Sequence, residues 1–168
     1  MWHDYMQGRR QQKNLPSQSA VALVVQAPAE LVYDQWNRFE DLPHFMKEPG
    51  ESEKLSEARM VWRIEFHGRH VPWEAEIIQQ IPGRCISWLN LEGRPCPHSG
   101  SVHFQHLSES ATRIKVEMEF EPAESSGQFA DPLRSVTILV ERSLQRFAKF
   151  LQLADAPDSF RASGCRAS

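Results

Sequence analysis

The chain has 168 residues, about 40% of them apolar and 24% charged, with a formal net charge of −3. That length supports one hydrophobic core and is short for two ordinary domains, and the slight negative charge gives no electrostatic basis for nucleic-acid binding, which needs clustered Lys and Arg against phosphate. No apolar run approaches the roughly 20 residues that cross a bilayer, so no transmembrane segment is expected.

Residues 1–18 are rich in Gln, Arg, Asn and Ser without apolar periodicity, and are expected to be a disordered tail. Their opening, MWHDYMQGRRQQKN, lacks the apolar centre of a secretory signal. Cys85, Cys96 and Cys165 are odd in number and share no CxxC spacing, which favours free thiols and a cytoplasmic setting. The ordered part begins with the β-branched run Ala20–Val25, a strand. Pro28 is expected at the first helical position, where its missing N–H costs nothing, with Val32, Trp36 and Phe39 following at helical spacing. Asp41–Met46 reads as a second helical turn broken by Pro43. Pro49 and Ser52 leave the stretch Glu51–Ser56 with little to bury, so any strand there is expected to be short and peripheral, either a mobile rim or a surface loop.

Alternation then takes over. Trp62 and Ile64 oppose Arg63 and Glu65; Trp73, Ala75 and Ile77 oppose Glu74 and Glu76; Ile86 and Trp88 oppose Ser87; Val102 and Phe104 oppose Ser101, His103 and Gln105. In Thr112–Phe120 every even position is inward and Arg113, Lys115, Glu117 and Glu119 point out. This is the period of antiparallel strands with one wet face, and Pro82-Gly83, Glu92-Gly93 and Glu109-Ser110 mark the turns of a meander. Asp131-Pro132 opens a last helix of about five turns by the apolar spacing, with Leu133, Val136, Val140, Leu144, Phe147 and Leu151 along one stripe. The pattern predicts an α+β fold: a curved antiparallel sheet gripping a long C-terminal helix, with two short helices after the first strand. The single domain is placed at 19–153, and the small, polar residues 154–168 are expected to form a second disordered tail.

The stretch APAELVYDQWNRFEDLPHFM, then Trp62, Trp73-Glu-Ala-Glu-Ile77, Pro82-Gly-Arg-Cys-Ile-Ser-Trp88 and His98-Ser-Gly-Ser-Val-His-Phe104, resembles the polyketide cyclase/dehydrase family of the START-like (SRPBCC) superfamily. Coenzyme Q-binding proteins are similar too. The resemblance covers about residues 18–152 and implies the helix-grip fold, with a hydrophobic cavity between sheet and long helix.

On that basis the expected ligand-binding wall is Phe45, Met46, Trp62, Ile64, Trp73, Ile77, Trp88, Asn90, His98, Val102, Phe104, Val136 and Val140. Inward aromatics on a sheet serve as core more often than as ligand contacts, but Trp62, Trp73 and Trp88 on successive strands are consistent with a pocket lining. Asn90 and His98 have inward parity at strand ends and are the available polar candidates for orienting a ligand or for acid–base work. The seven histidines do not share a facing and spacing fit for one metal centre, so neither metal nor cofactor is expected. No GxSxG elbow or glycine-rich phosphate loop is present. The expected function is binding or carriage of a small hydrophobic ligand, aromatic, polyketide-like or isoprenoid/lipid. An aromatase/cyclase or dehydratase using the same cavity is the alternative, and a protein-interaction module the third.

Overall fold

Strand alternation is realised as seven antiparallel strands. The computed structural model describes residues 17–43, 46–48, 50–66, 69–91, 97–120 and 132–154. In chain order these form β1 (Ser17–Val25), α1 (Ala29–Glu40), β2 (Ser52–Lys54), β3 (Arg59–Phe66), β4 (Arg69–Ile81), β5 (Cys85–Asn90), β6 (Pro97–Ser108), β7 (Ala111–Phe120) and α2 (Pro132–Ala154). Within the sheet the order is β1-β7-β6-β5-β4-β3-β2, so the first strand closes on the last while β2 to β7 run as a meander. Ser17 already belongs to β1, and the rest of the two expected tails lies outside the described residues.

Register carries the inward parity from strand to strand. Ile77 faces Trp88, Trp88 faces Gly100, Gly100 faces Met118 and Met118 faces Ser19, making one row across five strands. One row deeper, Ile86, Val102 and Val116 line up and are buried, and beyond them come Phe104 and Ile114. Arg113, Lys115 and Glu117 keep to the outer face, partly or fully exposed. Bulges at Ile77/Gln79, Pro97/Ser99 and His106/Ser108 interrupt the ladders. Such insertions increase twist and help a sheet curl.

The deep end of the interior is aromatic. Val32, Trp36 and Phe39 of α1 turn inward as their spacing requires, and Phe104 meets Tyr33 and Trp36 edge-on at 5.5 and 5.9 Å. Phe147 of α2 meets Trp36 at 5.0 Å and Phe39 at 5.5 Å, so the two helices and the sheet share one core.

Several expectations need correcting. Pro28 is the N-cap of α1, extended at φ −61 and ψ 147, and its carbonyl accepts the first helical bond, from Val32 N–H at 3.0 Å. Its fixed φ suits the position just before the helix as well as the first one inside it. The second helical turn expected at 41–46 is no correction: residues 44 and 45 lie outside the described residues, and the described part keeps a turn's bond, Met46 N–H to the Pro43 carbonyl at 2.9 Å. α2 is longer than the apolar stripe suggested, 23 residues. Finally, β2 is short and at the sheet edge as expected, but its segment does bury something: Ser52 in it and Glu51 just before it are both buried. A search for apolar residues misses a strand whose buried side chains are polar and satisfied by partners elsewhere in the fold.

Candidate functional site

The three inward tryptophans come together on the concave side. Trp62 and Trp73 are directly paired across β3 and β4, the Trp62 and Trp88 ring centroids lie 5.9 Å apart, and all three indoles are buried. Ile77 flanks Trp88 and is half-buried, and Asn90, opposite Ala75, is half-buried toward the end of β5. α2 runs close to β1 and α1, with Ser19 and Thr137 hydroxyls 2.6 Å apart, whereas among the described residues its backbone approaches the other strands of the sheet much less. The three indoles belong to the same buried core as the α2 stripe. Trp62 Nε1 is buried without a hydrogen-bond partner, an unusual state for an N–H in a folded interior.

Other expected wall residues sit differently. Val102, Phe104, Val136 and Val140 are fully packed in the core, Phe104 beneath α1. Met46 is half exposed, its carbonyl accepting a bond from Arg146 Nη2 at 3.2 Å. Phe45 and the side chains of Ile64 and His98 lie outside the described residues. Of the remaining histidines, His103 points outward, with Nε2 3.0 Å from Ser101 Oγ and 3.6 Å from the Glu117 carboxylate.

Two features escaped the sequence reading. The first is Gly100: a Cβ there would fall 2.8 Å from Trp88 Nε1 and closer still to Cζ2, so the missing side chain is what lets the Trp88 indole lie flat against β6. A signal existed, since Gly100 interrupts the inward series of β6 next to an inward tryptophan. Gly100→Ala should therefore displace the indole and cost about 1–3 kcal/mol by overpacking. A urea melt together with the shift of tryptophan emission would show it, and an unchanged spectrum would contradict this packing.

The second is a polar cluster where α1, β2 and α2 meet. Arg146 Nη1 donates to Glu51 Oε1 at 2.7 Å, the Glu48 N–H donates to Glu51 Oε2 at 3.1 Å, and Lys47 Nζ donates to the carbonyls of Glu40 at 2.6 Å and of Ser52. Burial pushes the Glu40 carboxyl up to about 7 and also raises Glu51, while it lowers Lys47. Glu40 continues the Val32, Trp36 series at four-residue steps, so its place on the buried face was legible.

On the opposite side of the sheet a groove of about 340 Å³ opens to solvent, lined by Gln18, Ser87, Ser99, Ser101, Glu117 and Glu119. Small hydroxyl residues at adjacent outward positions leave this depression. Its lining also includes Ser19, Trp88, Gly100 and Met118 of the inward row.

Residues 25–149 match the profile of the family described as polyketide cyclase/dehydrase and lipid transport. The chain belongs to that family. This polyketide cyclase/dehydrase family member is 29% identical over 131 residues to an uncharacterised 17.2 kDa protein of Streptomyces lincolnensis, covering 78% of this chain and 87% of that one. In structure it is similar to a Thermus thermophilus protein, at a TM-score of 0.67 and 20% identity over 83% of this chain and 100% of the other. It is also similar to an aromatase/cyclase from a Streptomyces species, at a TM-score of 0.53 and 20% identity, covering 90% and 100%. At those identities the structural likeness concerns the fold, the START-like helix grip. No described helix is long and apolar enough to cross a membrane.

Proposed function

We propose that this family member binds or carries a small hydrophobic molecule, aromatic, polyketide-like or isoprenoid, between β3–β5 and α2, with Trp62, Trp73 and Trp88 as the movable wall. What supports this reading is that three buried indoles from neighbouring strands converge on the concave face of a sheet that α2 approaches closely at β1. Flat aromatic surfaces gain most from stacking on another apolar ring. A ligand entering there replaces indole–indole contacts with indole–ligand contacts, and an acceptor atom on it would satisfy the Trp62 N–H. The family supports a hydrophobic-ligand or cyclase role in general terms.

The enzyme alternative keeps the same space. Holding a reactive chain in attack geometry supplies much of a cyclase's acceleration, and Asn90, half-buried beside the indoles, would be a polar group at the reacting end. His98 is the companion candidate from the sequence.

Trp88→Ala tests the reading. If the indole walls a binding space, the affinity for an apolar fluorescent probe changes at least several-fold while the sheet survives. If Trp88 is core only, the substitution costs about 3–5 kcal/mol with no change in probe binding, and the binding reading of this wall fails. His98→Ala separates the roles: an acid–base group loses turnover with binding retained, whereas an anchoring group loses affinity. Native mass spectrometry of the protein from its own host would report the mass of any retained molecule.

A further inference from the structure

The groove on the outer face of the sheet changes character from one end to the other. At its β1–β7 end stand Glu117 and Glu119, opposite Ala20 and Gln18. In the middle, on β6 and β5, come the hydroxyls of Ser99, Ser101 and Ser87. The far end is apolar: Leu89 of β5 is 38% exposed, and Ile78 of β4, at the bulge between Ile77 and Gln79, is 56% exposed. Large apolar side chains on a wet sheet face gain only when something covers them. Among the described residues Glu119 accepts from two neutral donors, Gln18 Nε2 at 3.3 Å and Ser99 Oγ at 3.1 Å, while Glu117 pairs with Lys115.

The chain enters the sheet beside the carboxylate end. Ser17 pairs with Phe120 and Gln18 with Glu119, so whatever precedes Ser17 arrives there. The sixteen residues before it, MWHDYMQGRRQQKNLP, lie outside the described residues, and their composition runs in the same order as the groove. Read backward from Ser17, Lys13, Arg10 and Arg9 come first and Met6, Tyr5 and Trp2 follow, with Asp4 the single acid. Length is sufficient. Neighbouring strands lie ~4.8 Å apart, so β1 to β4 is a span of ~19 Å, and an extended chain covers ~3.3 Å per residue, which carries Tyr5 up to ~40 Å from Ser17.

We propose that this groove is the docking seat of the chain's own first sixteen residues, with Lys13, Arg10 and Arg9 against Glu117 and Glu119, and with Met6, Tyr5 and Trp2 over Leu89 and Ile78. Exposed ion pairs contribute little singly. A tethered segment, however, meets its seat at an effective concentration on the order of millimolar, so weak contacts in series hold it. The aromatic rings add the apolar cover that Ile78 and Leu89 lack, and the serine hydroxyls between the two ends offer partners to the backbone that crosses them. This reading does not depend on what the interior binds.

The test compares the backbone amide NMR signals of three full-length chains at about 20 mM salt, where exposed charges still interact. They are the wild type, a charge variant carrying Arg9→Glu, Arg10→Glu and Lys13→Glu, and a ring variant carrying Trp2→Ala and Tyr5→Ala. The charge variant is expected to shift the amides of Ser99, Glu117 and Glu119, and the ring variant those of Ile78 and Leu89, with the core amides of Val102 and Val140 unmoved in both. In the wild type the signals at the glutamate end should move toward the charge variant's positions as salt rises to about 500 mM, and should stay in place on tenfold dilution. Groove signals that coincide in all three chains overturn the proposal. So do shifts that disappear on dilution, which would put a second copy in the groove, and a ring variant that leaves Ile78 and Leu89 unmoved, which would reduce the contact to charge attraction without a seat.

Discussion

A chain ending before Pro132 is expected to show no cooperative unfolding transition. Val136, Val140, Leu144, Phe147 and Leu151 of α2 are all buried in the shared core. At roughly 1.5–3 kcal/mol for each fully buried large side chain, that stripe contributes on the order of 10 kcal/mol before entropy, as much as the net stability of a typical domain. A graded version is Phe147→Ala. Phe147 is fully buried and touches Trp36, Phe39 and Phe150, with centroids at 5.0, 5.5 and 6.4 Å. Neighbours from both helices cannot collapse into the space together, so the loss should reach about 3–5 kcal/mol. Urea denaturation by circular dichroism measures it. A loss below about 1 kcal/mol would mean that α2 is not the keystone of this core.

The second large effect is a slope in stability with pH. Glu40 holds its proton up to about 7 in the folded chain against an ordinary value of 4.5. Between these values the folded state binds a proton that the unfolded state has released. Stability from this group is therefore complete below about 4.5, falls as pH rises toward 7, and levels off above; the full drop is about 3 kcal/mol at 1.36 kcal/mol per unit. Glu51, raised by burial, tilts the curve the same way. Lys47, lowered by burial, acts oppositely, because its folded form sheds a proton first as pH climbs toward 10.5. Glu40→Gln should remove most of the acid-side slope and be the more stable protein at pH 8. Chemical melts at several pH values decide this, and parallel curves for the two proteins would refute it.

Much of the architecture was legible because strand parity is a local property. Trp62, Trp73, Trp88 and the even positions of β7 alternate with charges, and a half-buried sheet admits only one way to face such a pattern. The stripe of α2 was legible for the same reason at helical period. β2 was seen only as a short edge piece, since its burial is polar and an isolated sequence does not show which distant group will satisfy Glu51. Arg146 does so from 95 residues away.

The candidate site divides along the same line. Sequence alone determined which side chains turn inward and that a long amphipathic helix must cover them, because both follow from backbone periodicity and the drive to bury apolar surface. Only the tertiary structure decided that Phe104 packs beneath α1 while Trp62 and Trp88 pack against each other within the same core. It also decided that Gly100 makes room for Trp88, and that Glu40 is buried beside Lys47 and Ser52. These depend on distances between elements far apart in the chain, and such distances are set by packing against neighbours that no local pattern identifies.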